Sequence, residues 1–290
     1  MVLPAPGSKL VVTTDVLVEG GHFSAALSAP EDWGWKAVAV NVSDLAAMGA
    51  RPRWLVVALT VPPGTGVALL ERVYAGMAEA CAAFGAALVG GDVVAGPALS
   101  LALTAIGEAE RVVTRAGARP GDRLVVSGPL GVAAAGLGLL DRDDPAARAL
   151  LARFPGLAAA HRRPVAQVAA GLALAVAGAT AMLDVSDGLA GDVLHLAEAS
   201  AVGVELRDAE VPLAPGVREA AALLGRDPVG LALGGGEDFV LAAAVPPAAV
   251  PPGMVACGRF TADPARRVHL TAAGPLPLAG LGFDHFRPPG

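Results

Sequence analysis

Residues 182–192 read MLDVSDGLAGD, an apolar run that gathers Asp184, Asp187 and Asp192 where a strand should give way to a helix. The stretch TAMLDV before the turn has strand character, and DGLAGDVLHLAEASA after it has helical spacing. An ionised carboxylate taken out of water costs several kcal/mol unless something compensates it. The rest of the sequence has to supply that compensator.

Working outward, ARPGD (118–122) reads as a linker, followed by the strand RLVVSG. Helical segments are predicted over 129–140, 144–153 and 164–177. After residue 203 come short strands, a helix near 215–224, and strands over 237–245 and 254–260. Towards the N-terminus, KLVVTTDVLV (9–18), WLVVALTVP (54–62), AALVGGDVV (86–94) and ALSLALTAIGEA (98–109) read as strands. PEDWGWKAVAVNVSDLAAMG (30–49) opens with acids and closes on Gly49, and GVALLERVYAGMAEACAAFG (66–85) closes on Gly85, as helices do. Strand and helix alternate in both halves, which predicts α/β or α+β layers in two domains, 1–118 and 119–290. NVSD (41–44) and DVSD (184–187) echo each other, but the echo is too short to indicate a repeat.

Composition narrows the class. Of 290 residues, 54% are hydrophobic and 17% charged, which excludes disorder. The greasiest stretch, VAQVAAGLALAVAGATAML (165–183), is mostly Ala and Gly, carries Gln167 and Thr180, and runs into acids. It suits a buried helix leading into a strand rather than a membrane span. MVLPAPGSKL shows no signal peptide. Cys81 and Cys257 have no paired spacing, so they read as free thiols of a cytoplasmic protein, not as zinc ligands. A net charge of −6 argues against a nucleic-acid surface.

Acids interrupt apolar segments in the same manner at four places: Thr13-Thr14-Asp15, NVSD ending at Asp44, GGD ending at Asp92, and DVSDG with Asp184 and Asp187. Small residues around each acid let oxygens converge, and an oxygen-only donor set suits Mg2+ or Ca2+. Each acid could instead be a helix cap or a turn residue, and Ser186-Asp187-Gly188 in particular looks like a helix start. Only Lys9 and Lys36 are lysines, and neither stands in a G-x-x-x-x-G-K-[ST] loop; no G-x-G-x-x-G follows a strand. A bound polyphosphate would therefore be neutralised by metal ions, and Mg2+ carried in with it would compensate the carboxylates.

Further residues leave two readings open. GGGEDF (234–239) is either a tight turn entering a strand or part of a site. His22 in VEGGHF could donate to a phosphate or be a plain surface histidine, and Arg115 has the same two readings. Tyr74, the only tyrosine, lies in a helix and suggests packing. Phe283 in GLGFDHF could stack on a heteroaromatic substrate or fill a core.

Taken in order, VVTTDVLVEGGHF, WKAVAVNVSDLAAMGARP, LVGGDVV, TRAGARPGD, MLDVSDGL, GGGEDF and GLGFDHF resemble the thiamine-monophosphate kinase family. Its superfamily includes aminoimidazole ribonucleotide synthetase and selenophosphate synthetase. The resemblance implies a two-domain fold like that of aminoimidazole ribonucleotide synthetase and a homodimer whose N-terminal sheets pair in a shared barrel. ATP would sit close to the dimer interface, and the C-terminal domain would complete the nucleotide and substrate site. It also implies ATP-dependent phosphorylation of thiamine phosphate to thiamine diphosphate with Mg2+, by positioning and metal ions rather than a catalytic side chain.

Carried over by motif, Thr13, Thr14, Asp15, Asp44, Asp92, Asp184 and Asp187 would ligate Mg2+. Tyr74, Gly91, Asp92, Arg115 and Ser186 would contact ATP, and His22, Glu237 and Phe283 would hold thiamine phosphate. The family carries a Gly-Asp-Asp-Ala-Ala segment ahead of VLPAPG, whereas this sequence begins Met1-Val2-Leu3, so two aspartates and a helix have no counterpart in it. Alternative expectations are a synthetase of the same superfamily or a catalytically impaired nucleotide- and Mg2+-binding dimer. Selenophosphate synthetase would want a reactive N-terminal cysteine, and a hydrogenase-maturation protein a C-terminal one.

Overall fold

Alternation in KLVVTTDVLV builds β1 (Lys9–Val18), with Val11 and Leu17 buried on one side and Val12, Thr14 and Val16 exposed on the other. Thr13 and Asp15 fall on the same side as the buried residues, because side chains two apart share a face. The structure is a computed structural model and describes residues 7–282, so Phe283 lies outside the described residues. Its Cα positions divide into two units, one running to Val112 and including Arg162–Leu172, the other made of Val113–His161 and the chain from Ala173.

In the first unit β1 is followed by α1 (Pro30–Ala47), β2 (Arg51–Val61), α2 (Val67–Phe84), β3 (Ala87–Ala95) and β4 (Ser100–Ala109). The sheet runs β1-β4-β2-β3, and only β2 and β3 are parallel, joined through α2. Pro30 starts α1, and Asp32 turns back to accept from the Ala29 amide at 3.0 Å, an anion at the positive end of the helix. Gly85 ends α2 in the left-handed region at φ 74°. Within this unit Trp35 Nε1 donates to the Pro164 carbonyl at 2.8 Å, and Arg163 pairs with Asp32 and Glu79 at 2.6 and 2.8 Å.

Glycine lets α1 and α2 touch backbone to backbone. A Cβ at Gly34 would stand 1.9 Å from the Val73 carbonyl oxygen, and one at Gly76 would stand 1.8 Å from that of Glu31. Neither oxygen can step aside without moving a helix.

The second unit contains β5 (Arg123–Val126), α3 (Val132–Leu140), α4 (Pro145–Arg153), α5 (Pro155–Arg162), the end of α6 (Val168–Ala177), β6 (Ala181–Asp184) and α7 (Leu189–Ala199). Then come β7 (Gly203–Arg207), α8 (Val217–Leu224), α9 (Pro228–Gly234), β8 (Leu241–Val245), β9 (Val255–Thr261), β10 (Arg267–Thr271) and β11 (Gly274–Pro277). Its sheet runs β11-β10-β7-β9-β5-β8-β6, mixed, with β10 and β7 parallel. The Leu189, Val193 and Leu196 face of α7 packs with sheet residues such as Leu124, Leu183, Val204 and Phe260. Leu139, Leu157, Val217 and Leu231 make a separate core among the helices. Both units mix helix and sheet, which is the expected class.

The elements differ from the sequence reading in particular places. Helix α5 stands where the sequence predicts none: Pro155 disfavours helical backbone at Phe154 yet suits a first helical position, so one helix stops and another starts. Helix α9 is likewise absent from the sequence reading; Asp227 caps it by accepting from Gly230 N at 2.5 Å. The helix expected from residue 164 begins at Val168, and the strand expected from 237 begins at Leu241. Residues 165–183 are divided between α6 and β6, and among the described residues no helix is long and apolar enough to cross a membrane.

Gly76→Ala is expected to lower unfolding stability by roughly 1–3 kcal/mol, the usual cost of overpacking. Urea unfolding followed by circular dichroism measures it; an unshifted midpoint would contradict the packing described.

Candidate functional site

Each unit carries its own acidic cluster. In the first, the Asp15 amide donates to Asn41 Oδ1 at 3.1 Å, and Thr13 Oγ1 donates to Asp44 Oδ2, so residues of β1 and α1 are tied together. Asn41 is fully buried and anchors itself by donating to the Ala37 carbonyl at 2.9 Å. Burial first, and then the negative charge of Asp44, raise the Asp15 carboxyl to about 6. Two carboxylates kept close in a half-buried setting, with no lysine or arginine offsetting the rise at Asp15, want a cation.

Other first-unit candidates lie apart from this pair. The Thr14 hydroxyl donates to the Leu103 carbonyl at 2.9 Å and accepts from Thr104, on the exposed side of the sheet. Asp92 is exposed on the edge strand β3, beside Ala58, with Oδ1 accepting from the Val93 amide at 2.9 Å. Gly91 admits no side chain, since a Cβ there would come 2.1 Å from the Val57 carbonyl oxygen. Tyr74 is half-buried on α2. The ring of His22 is not a bare surface group: Nδ1 accepts from the Val18 amide at 3.2 Å, and its carbonyl accepts from buried Lys36 at 2.9 Å.

In the second unit Asp184 ends β6, and the turn Val185–Gly188 leads into α7. The reading of Asp187 as a helix cap is not what the structure shows. The cap position belongs to Gly188, which makes no side-chain cap bond. Asp192, from the first turn of α7, reaches back and accepts from the Asp187 amide at 3.1 Å. Burial first, then the charges of Asp184 and Asp187, raise Asp192 to about 8. Its hydrogen bonds from backbone amides oppose that rise without cancelling it.

The GGGEDF segment presses against the same turn. Glu237 N donates to the Ser186 carbonyl at 2.7 Å, and Phe239 N to that of Val185 at 2.9 Å. A Cβ at Gly236 would lie 2.6 Å from Ser186 O, and one at Gly188 would lie 2.7 Å from Leu233 O, so both must be glycine. Glu237 and Phe239 themselves adopt left-handed backbone, at φ 58° and 48°. That conformation costs a non-glycine residue on the order of 1–3 kcal/mol and persists only where the surroundings demand it. Asp238 is buried and accepts from Gly131 N at 2.6 Å and Ala133 N at 3.1 Å, tethering the segment to the start of α3. The Glu237 carboxylate meets His161 Nδ1 at 3.0 Å. Arg115 is exposed in the loop before β5, its carbonyl accepting from Ser200 Oγ.

The donor set fits hard, oxygen-loving cations. Among the described residues no three His, Cys, Asp or Glu side chains converge as a group that could hold a metal. Carboxylate and hydroxyl oxygens are donors of the kind Mg2+ takes, one or two carboxylates with waters and phosphate oxygens filling its octahedron. Sequence reasoning groups Asp192 with the other acids of its stretch but does not place it in the site; its position one turn into α7 is the available signal. His161 carries none, since it meets Glu237 across 76 positions of sequence from a helix the sequence does not announce.

With this geometry in place, comparison with known proteins defines the class. Residues 1–109 match the AIR synthase related protein N-terminal domain, and residues 119–250 match the C-terminal domain of the same description. A thiamine-monophosphate kinase of Aquifex aeolicus is 39% identical over 80% of this chain and 74% of its own length. One from Mycobacterium tuberculosis is 40% identical over 90% and 77% respectively. A solved structure described as AaThiL complexed with AMPPCP and TMP superposes with a TM-score of 0.85 at 34% identity, covering 98% of this chain and 89% of that one. The chain belongs to the thiamine-monophosphate kinase family.

A buried acid whose folded value is raised favours the folded state only while it keeps its proton. For Asp192 the unfolded chain ionises near 3.8 and the folded one near 8, so its contribution falls as pH climbs through that window. Asp192→Asn can still accept from the Asp187 amide. The variant is therefore expected to lose less melting temperature than the parent between pH 5 and 8, in metal-free buffer. Parallel melting curves would contradict the assignment.

Proposed function

We propose that the chain transfers the γ-phosphoryl group of ATP to a phosphate oxygen of thiamine phosphate, giving thiamine diphosphate and ADP. The observation that carries this reading is the crowding of Asp15 with Asp44, and of Asp192 with Asp184 and Asp187, in a family of ATP-dependent thiamine-phosphate kinases. The new bond forms between the acceptor oxygen and the γ-phosphorus while the bond to the β,γ-bridging oxygen breaks, and ADP leaves with that electron pair. The acceptor is already anionic near neutral pH, so no strong general base is needed, and positioning does most of the work.

Thr13, Thr14, Asp15, Asp44, Asp92, Asp184 and Asp187 are the residues we assign to Mg2+. Bound Mg2+ would cancel the mutual repulsion of donor and acceptor phosphates. We assign Tyr74, Gly91, Asp92, Arg115 and Ser186 to ATP, and His22, Glu237 and Phe283 to thiamine phosphate. Backbone rigidity at the turn is what this chain contributes to orientation: Gly188 and Gly236 allow the approach, and Glu237 is held against Ser186. The free, buried thiols of Cys81 and Cys257 suit a cytoplasmic enzyme.

A second copy of the chain is the partner we infer for the first unit's sheet. Its open face presents Leu10 and Val12, 50% and 60% exposed, with Val16 and Val56 beside them. An apolar face of this kind on a sheet is a place where proteins associate.

Two measurements check these readings. ADP release should depend on both thiamine phosphate and Mg2+, and Asp187→Asn should cut kcat by roughly 100-fold, as loss of one electrostatic stabiliser does; metal-independent turnover would refute the scheme. Val12→Glu should shift the chain from dimer to monomer in analytical ultracentrifugation, whereas a parent that is already monomeric would remove the second copy from the account.

A further inference from the structure

His161 takes no part in the scheme above, yet it is 7% exposed and sits on α5 with Nδ1 3.0 Å from Glu237 Oε2. An ionised carboxylate can only accept, so the ring proton belongs on Nδ1, and the bond is charge-assisted. Glu237 is held from the other side as well. Its amide donates to Ser186 O at 2.7 Å, its backbone is left-handed, and Asp238 next to it is pinned by the amides of α3. The backbone of Glu237 is thus fixed by the turn, while its side chain, 29% exposed, would still have several rotamers to sample. His161 is a contact that favours one of them.

We propose that His161 is a positioning residue for thiamine phosphate, holding the Glu237 carboxylate in the rotamer that receives the substrate. The proposal rests on the thiamine-phosphate reading and deepens it. α5 packs through Leu157 into the helical core with Leu139, Val217 and Leu231, so the imidazole is anchored by packing rather than by the ligand. A carboxylate oriented in advance loses less freedom when substrate arrives, and the gain appears in substrate affinity rather than in the chemical step. ATP binding does not draw on it.

The test uses the full chain and steady-state ADP release, with thiamine phosphate and ATP each varied in turn. His161→Phe should raise KM for thiamine phosphate roughly tenfold, as loss of a hydrogen bond to a charged group does, while KM for ATP and kcat move less than about twofold. His161→Asn, whose amide N–H can take the place of Nδ1–H, should recover most of the loss. In a Glu237→Ala background, which has no side-chain acceptor, His161→Phe should add little. If His161→Phe does not fold, His161→Leu, uncharged and without a donor, replaces it in the comparison. Equal rises in both KM values, no advantage of Asn over the variant lacking a donor, or a full additional effect in the Glu237→Ala background would each overturn the proposal. A parent chain that releases no ADP in response to thiamine phosphate would overturn the functional reading, and the proposal with it.

Discussion

Asp184, Asp187 and Asp192 repel one another around a turn that has no space for a side chain at Gly188 and none at Gly236 opposite. The backbone is therefore close-packed where the charge is densest, and the acids cannot relax by swinging the turn outward. Asp192 answers by holding its proton up to about pH 8. Asp15 answers in the same way beside Asp44, though less strongly because more of it reaches water. Such groups cost stability in the free protein, and in the proposed function a divalent cation delivered with phosphates would relieve the cost. The fold sets that penalty, and the backbone amides that reach Asp192 offset only part of it.

Much of the frame is legible in the sequence because its signals are local. β1, α1, α2, β3 and β4 fall close to where alternation, acidic helix starts and closing glycines put them, with ends shifted by a residue or two. Helices α5 and α9 escape because proline and glycine break their short patterns, and the helix that forms is rescued by packing and by a cap at Asp227. The GGGEDF segment stands out for its glycines, but its positive-φ glutamate is held by Ser186 and His161, and its tether to α3 by partners more than a hundred residues away, none of which is local in sequence.

The site is legible to the level of residue type and not of direction. NVSD and DVSD carry nearly the same letters, yet Asn41–Asp44 lies inside a helix while Asp184–Asp187 ends a strand and forms a turn. Thr13 and Thr14 are neighbours in sequence but opposite in face, because a strand sends successive side chains to opposite sides. Asp192 and His161 are joined to their partners by contacts that no motif displays. What stays hidden in each case is set by long-range packing.

Whether a cation relieves the crowded carboxylates can be read from thermal unfolding at pH 8 with a nonhydrolysable ATP analogue, with Mg2+ or with a chelator in its place. The account predicts that analogue and Mg2+ together raise the melting temperature by several degrees, that the analogue with chelator does not, and that Asp44→Asn combined with Asp187→Asn abolishes the gain. Equal stabilisation with and without the metal, or a gain that survives loss of both carboxylates, would contradict it.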